Sequence, residues 1–179
     1  MKSLFSTGQR IKILQAVIFR TDSVSVNNTA SELKLSKGLV SKYFQILVKQ
    51  KVLKREKGKL VISDFPLVRA VRILLNIKNI DVRIFGKYPF VTAAGLYGSC
   101  AKGENNEESD VDVWIRLNEV EETKAAALTA EISKKVKNAK VLFLTDSRLE
   151  KIRKVDTMFH HYLVFGSIIL YGDKDAAQF

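Results

Sequence analysis

Along the first half of the chain apolar residues recur at helical spacing, and along the second short apolar runs of strand length alternate with amphipathic stretches. From Gly8 to Arg20, Ile11, Leu14 and Ala16 to Ile18 sit mostly on one helical face, and VSVNN at 24–28 then breaks the pattern. NNTASELKLS reads as a short second helix, capped by its own Asn and Thr residues and ending in a turn near Leu35 and Ser36. Ser36 is placed to cap a third helix, KGLVSKYFQILVKQKV. There Val40, Phe44 and Leu47 lie at i, i+4 and i+7 and dock on the first two helices. Lys37, Gly38, Ser41, Lys42 and Gln45 then face outward, with Tyr43 partly so.

LKREKGKLVISDFP contains two extended runs around Lys57 and Gly58, which predicts a hairpin with those residues at its tip. A helix starting near Pro66 follows, with Leu67, Val68, Val71, Leu74 and Leu75 as a broad apolar stripe, suited to a connecting or dimerising role. Beyond it come a strand in PFVTAAGLYGS, a loop or short helical turn in CAKGENNEE and a strand in SDVDVWIRL. The remainder reads as a helix in EVEETKAAALTAEISKKVKNA, a strand in KVLFLT, one or two helices over 146–167 and a short last strand in IILYG. The acidic start and lysine-rich end of the first of these helices suit the helix dipole.

Charge changes this picture. The 179 residues carry a net charge of +11. Residues 1–80 hold 16 Lys and Arg against 4 Asp and Glu, and residues 81–179 hold 14 against 15, so the excess lies entirely in the first half. A basic half of this kind seeks a polyanion, and the lack of a basic stretch with a Trp or Phe anchor favours nucleic acid over a membrane. No apolar run is long enough to span a bilayer, and MKSLFSTGQR has no signal-peptide core, so a cytoplasmic protein is expected. With Cys100 as the one cysteine, neither an internal disulfide nor a zinc cluster is expected.

The chemistry is concentrated in GLYGSCAKGENNEESDVDVWI, residues 95–115. Asp110 and Asp112 are two residues apart, so a strand projects both from one face while Val111 and Val113 enter the core. Side by side the two carboxylates repel, and a divalent cation is a natural partner for them. Gly98 and Ser99 can bring backbone N–H groups and a hydroxyl to a phosphate; Gly103 turns the loop back and Lys102 supplies a charge. Metal with a phosphate cradle points to phosphoryl or nucleotidyl transfer, although an Asp-x-Asp pair alone is also common on surfaces. The adjacent His160 and His161 diverge on a helix and cannot share one metal ion, Cys100 reads as a small buried residue, and Trp114 reads as core.

Three helices followed by a basic hairpin, over residues 6–64, resemble the winged helix-turn-helix domains that bind DNA. That resemblance implies double-stranded DNA as partner, met by Ser36, Lys37, Ser41, Lys42 and Gln45 on the third helix and by Arg55, Lys57 and Lys59 on the wing. The same lysines would equally form the solvated face of a helical domain, and some winged helices serve as protein–protein modules. Gly98-Ser99, ten residues and Asp110-Val111-Asp112 resemble the motif of the DNA polymerase beta-type nucleotidyltransferase superfamily, in particular its minimal branch, over residues 80–172. The implied fold is a mixed β-sheet with flanking helices. Asp110 and Asp112 would be catalytic and bind Mg²⁺, and Gly98, Ser99, Lys102, Gly103 and Ser109 would bind a nucleoside triphosphate such as ATP.

Together these give an α+β chain of two domains: residues 1–64 as a winged helix-turn-helix, 65–79 as a connecting helix and 80–179 as a nucleotidyltransferase domain. The expected activity is transfer of a nucleoside monophosphate to an unknown acceptor. The alternative is a DNA-binding transcriptional regulator, or an antitoxin-like protein with a protein partner, whose second domain senses a nucleotide; a homodimer would suit palindromic DNA sites. One departure bears on this choice. The family implies a third carboxylate on the strand after the next helix, and the aligned position holds Lys140, while Asp146 stands about 20 Å further along a regular strand.

Overall fold

The computed structural model describes residues 2–172. Residue 1 and residues 173–179, the outer ends of the two expected domains, lie outside the described residues. The chain divides into two compact units, the first reaching to Leu75 and including Asn105–Glu108, the second made of Asn76–Glu104 and the residues from Ser109 on.

The first unit holds four helices, α1 (Lys2–Phe5), α2 (Gly8–Val17), α3 (Val26–Leu33) and α4 (Lys37–Lys49), then a hairpin of β1 (Leu53–Glu56) and β2 (Lys59–Ile62), and the start of α5 (Pro66–Asn79). The caps are local chemistry. Thr7, Ser25 and Ser36 are extended residues whose hydroxyls accept from the amides of Arg10, Asn28 and Leu39 at 3.3, 3.1 and 3.3 Å, satisfying donors that a helix start leaves open. The cap of α3 is therefore Ser25, not the Asn and Thr residues inside the helix. Lys57 and Gly58 both have positive φ, 49° and 78°, the backbone of a tight hairpin turn whose twist matches its strands. Val24 bridges to Leu60 on β2, which explains why VSVNN leaves the helical pattern.

The sequence pattern does not mark α1, which is too short to show a period, yet Leu4 is fully buried in the core formed by Ile13, Leu14, Val40, Phe44 and Leu47. Tyr43, expected to be partly outward, is fully buried as well, because its phenol donates a 2.8 Å hydrogen bond to the Leu4 carbonyl and so avoids the cost of an unpaired hydroxyl.

The second unit is a four-stranded mixed sheet in the order β5-β4-β3-β6. Its strands are β3 (Val91–Leu96), β4 (Val111–Leu117), β5 (Ala139–Leu144) and β6 (Ile168–Tyr171); β3 runs antiparallel to β4 and β6, and β4 parallel to β5. A 3₁₀ segment (Val82–Lys87) precedes β3, α6 (Gly98–Lys102) follows it, α7 (Glu122–Lys135) links β4 to β5, and α8 (Asp146–Val155) and α9 (Thr157–Gly166) precede β6. Alternation along β4 sorts its side chains. Val113 and Ile115 pack in one cluster with Leu128 and Ile132 of α7, and Trp114 packs in another with Leu149 of α8 and Leu163 of α9. Gly95 makes room for that indole: a Cβ there would lie 2.3 Å from the Ile168 carbonyl oxygen and 2.5 Å from the Trp114 ring.

Candidate functional site

By the period of β4, Asp110 and Asp112 share Trp114's face of the sheet, at the strand's entrance. Three contacts fix them. The Val111 amide donates to the Asn138 carbonyl at 2.9 Å, the Tyr97 amide to the Asp112 carbonyl at 3.1 Å, and the Cys100 thiol to the Asp110 carbonyl at 3.4 Å. Burial, then the charge of Asp112, pushes the Cys100 thiol up to about 11, so this cysteine is a packing residue with no thiolate at neutral pH.

Gly98 opens α6 with φ +70°, and a Cβ on it would lie 2.3 Å from Oδ2 of Asp112. The loop backbone thus passes directly against the carboxylate, an approach that an L side chain would block both sterically and by its conformation. Gly103 ends α6 in the left-handed region at φ 68°. Ser99 lies between them on the same turn, half-buried, and Ser109, also half-buried, directly precedes Asp110. Lys102 is exposed at the end of α6, with its Nζ 4.3 Å from the centroid of the Tyr162 ring. The expected phosphate-loop residues and the two aspartates are therefore on adjoining elements.

Electrostatics at this point are set by one further side chain. In the parallel register Asp112 stands opposite Lys140 on β5, and Lys140 Nζ lies 2.6 Å from Asp110 Oδ2. Burial, and then the Asp110 charge, raise the Asp112 carboxyl, while Lys140 pulls it down; the bond to Asp110 in turn raises the Lys140 ammonium. Asp146 does not extend β5 as a regular strand would place it. It starts α8, behind the cap residue Thr145, and its Oδ1 accepts from Arg116 at 2.6 Å.

Sequence reasoning overlooked Tyr97, Arg148 and Tyr162. Burial, then the charge of Asp112, pushes the Tyr97 phenol up, with Tyr162 acting in the same sense and Arg148 against it, so Tyr97 couples to the acidic pair and Tyr162 and Arg148 act on Tyr97. Tyr97 lay within the glycine-serine stretch, whereas nothing local marks Arg148 or Tyr162, which the fold brings in from α8 and α9.

The glycine turn against Asp112, on a strand whose parallel neighbour follows a helix, agrees with a direct comparison: residues 79–176 match the family described as Polymerase beta, Nucleotidyltransferase. The chain belongs to this family. Its domains use a nucleoside triphosphate and a divalent metal. No curated protein matches the chain. Among solved structures, it is 16% identical to a chain of a toxin–antitoxin crystallised with AMP-PNP, over 57% of this chain and 77% of that one, with a TM-score of 0.42. For a proposed nucleotidyltransferase from Sulfolobus solfataricus the values are 15%, 59%, 85% and 0.36. For the tri-AMPylated Shewanella oneidensis HEPN toxin in complex with MNT antitoxin they are 14%, 60%, 75% and 0.34. Likeness at these scores carries no functional argument.

Without a nucleotide, this set of residues does not fit the divalent metal that the family uses. Magnesium takes six oxygens in near-octahedral array, of which a protein commonly supplies one or two carboxylates while substrate phosphates and water supply the rest. Here the two carboxylates share their space with an ammonium, Asp146 lies beyond the other end of β5 beside Arg116, and no group of three or more His, Cys, Asp or Glu side chains that could hold a metal ion occurs among the described residues.

In the first unit Ser36 caps α4, and Lys37, Lys42 and Gln45 are exposed on that helix with Ser41 half-buried. Arg55, Lys57 and Lys59 are exposed on the hairpin. Ser41, Gln45 and Arg55 come together with Val26, Phe44, Val48 and Leu60 around a cavity of about 250 Å³; Ser36, Lys37, Lys42, Lys57 and Lys59 do not line it. No helix among the described residues is long and apolar enough to cross a membrane.

Proposed function

We propose that this protein is a DNA-binding regulator in which residues 1–64 form a winged helix-turn-helix and a nucleotidyltransferase domain, from about residue 80 on, binds a nucleoside triphosphate without transferring its nucleotide. The observation that carries the second half is the Lys140–Asp110 ion pair of 2.6 Å, in a domain that has kept its glycine turn against Asp112. One of the two carboxylate charges is already offset from within. Ser99 and the start of α6 are placed to meet a triphosphate, and Lys102, which rests over the Tyr162 ring, would supply a cation to it.

Support for the first half comes from three capped helices, a type of hairpin turn that presents Lys57 at its tip, the Val24–Leu60 bridge and the basic excess of residues 1–80. α4 would enter the major groove, with Lys37 and Lys42 on phosphates and Ser41 and Gln45 near base edges, while Arg55, Lys57 and Lys59 reach the flanking backbone. Anisotropy titrations of labelled duplex DNA over a salt series test this. Log affinity should fall steeply with log salt, and Lys42→Ala and Lys57→Ala should each reduce the slope by about 1. Affinity indifferent to salt would overturn it. Calorimetric titration of ATP, CTP, GTP and UTP tests the other half, with loss of binding in Lys102→Ala expected and silence for all four nucleotides contradicting it.

A second reading keeps the transfer reaction: an acceptor hydroxyl attacks the α-phosphorus, and pyrophosphate leaves. The closeness of Gly98 to Asp112 favours it, since a phosphate loop packed on its aspartate is what such a reaction requires.

A further inference from the structure

The Asp110–Asp112 pair raises a question of charge balance. Two carboxylates on one strand face repel unless a positive group stands between or beside them. The protein supplies that group itself. Residues paired across parallel strands point to the same side of a sheet, so the register Asp112↔Lys140 places the Lys140 side chain on the carboxylates' own face. From there Nζ reaches Asp110 Oδ2 at 2.6 Å. The pair is open to solvent, with the Lys140 and Asp110 side chains 65% and 45% exposed, so it contributes little to stability; its weight lies in where the charge stands.

A divalent ion bound to Asp110 would sit about 4 Å from this ammonium. At that distance, even in a water-like dielectric, repulsion between charges of two and one disfavours binding by about 30-fold. Moving Lys140 aside relieves the repulsion and leaves only two carboxylates, because Asp146 lies beyond the other end of β5, beside Arg116. We propose that Lys140 is the resident cation of this site: its ammonium, paired with Asp110 from the position opposite Asp112, takes the place of a divalent metal, and the nucleotide-free protein binds divalent ions there only weakly. The inference rests on the reading of Asp110 and Asp112 as the acidic pair of the nucleotide site. Its test contains no nucleotide, so it can fail while nucleotide binding holds, and the reverse.

The experiment is a titration of the full-length protein with Mn²⁺, following the free ion by its paramagnetic resonance signal, for the natural protein, Lys140→Gln and Lys140→Glu. Lys140→Glu, which presents three carboxylates, should bind one ion at least about tenfold more tightly than the natural protein. Asp110→Asn added to it should abolish that binding, and Mn²⁺ should raise its Tm but not that of the natural protein. Lys140→Gln removes the ammonium without adding a charged ligand and should bind several-fold more tightly than the natural protein, so the inference is tested even if Lys140→Glu fails to fold. Equal Mn²⁺ affinity in the natural protein and in Lys140→Gln, lost in Asp110→Asn, would overturn it.

Discussion

Gly98→Ala probes the junction on which the site depends, and its cost divides into two parts. At φ +70° an alanine pays about 1–2 kcal/mol for the left-handed backbone. Its Cβ would also lie 2.3 Å from Asp112 Oδ2, where ordinary contact begins at 3.4 Å, so the carboxylate has to retreat by about 1 Å. Turning Asp112 off its rotamer adds about 0.5–1.5 kcal/mol. The second part exists only while the carboxylate does. In an Asp112→Ala background the same change should therefore cost only the backbone part, leaving a coupling of about 1 kcal/mol between the two positions. Urea unfolding followed by Trp114 fluorescence suits the measurement, since this is the chain's one tryptophan and is buried in the same unit. Identical costs in the two backgrounds would show that Gly98 is needed for its φ alone and does not hold Asp112.

Tyr43→Phe leaves the Leu4 carbonyl without its partner and should destabilise the first unit by about 1–2 kcal/mol in urea unfolding. The same residue sets an alkaline limit. Burial pushes its phenol up to about 12 against 10.0 in the unfolded chain, so the unfolded state ionises first and stability falls as pH rises from 10 to 12. Tyr43→Phe should make that decline shallower, and an unchanged slope would count against the buried phenol. Gly95→Ala drives a methyl into the Ile168 carbonyl and the Trp114 ring, and should cost about 1–3 kcal/mol with a shift in the Trp114 emission maximum; a neutral effect would mean that the two strands separate freely there. Ser36→Ala removes the cap of α4 and should lower stability by about 1 kcal/mol, read as a drop in urea midpoint with unchanged m.

Elements with strong local signals were legible in the sequence. Ser36, Lys57-Gly58 and Pro66 mark their helix start, turn and helix start by backbone chemistry that acts within four residues, and each is found where the pattern put it. The Asp110–Asp112 pair could be placed on one face because strand period depends on nothing remote. The burial of Tyr43 could not be foreseen, since it depends on a carbonyl 39 residues away in a helix too short to have a period. Lys140 could be aligned opposite the acidic pair, but whether it reached a carboxylate or pointed into solvent depended on the β4–β5 register, which the sequence does not state. Asp146 was placed by extending a strand that in fact ends at Leu144, two residues before it. Tyr162 and Arg148 come from helices whose packing on the sheet decides their neighbours, and they carried no local mark at all.

The most direct test of a nucleotide-binding domain that does not transfer is to incubate the full-length protein with α-labelled ATP or CTP and Mg²⁺, alone and with nucleic-acid or protein acceptors, beside an Asp110→Asn/Asp112→Asn control. Expected is nucleotide retained on the protein, with no transferred label and no pyrophosphate released above the control. Label transfer or pyrophosphate release that disappears in the control would contradict it and establish a working nucleotidyltransferase despite Lys140.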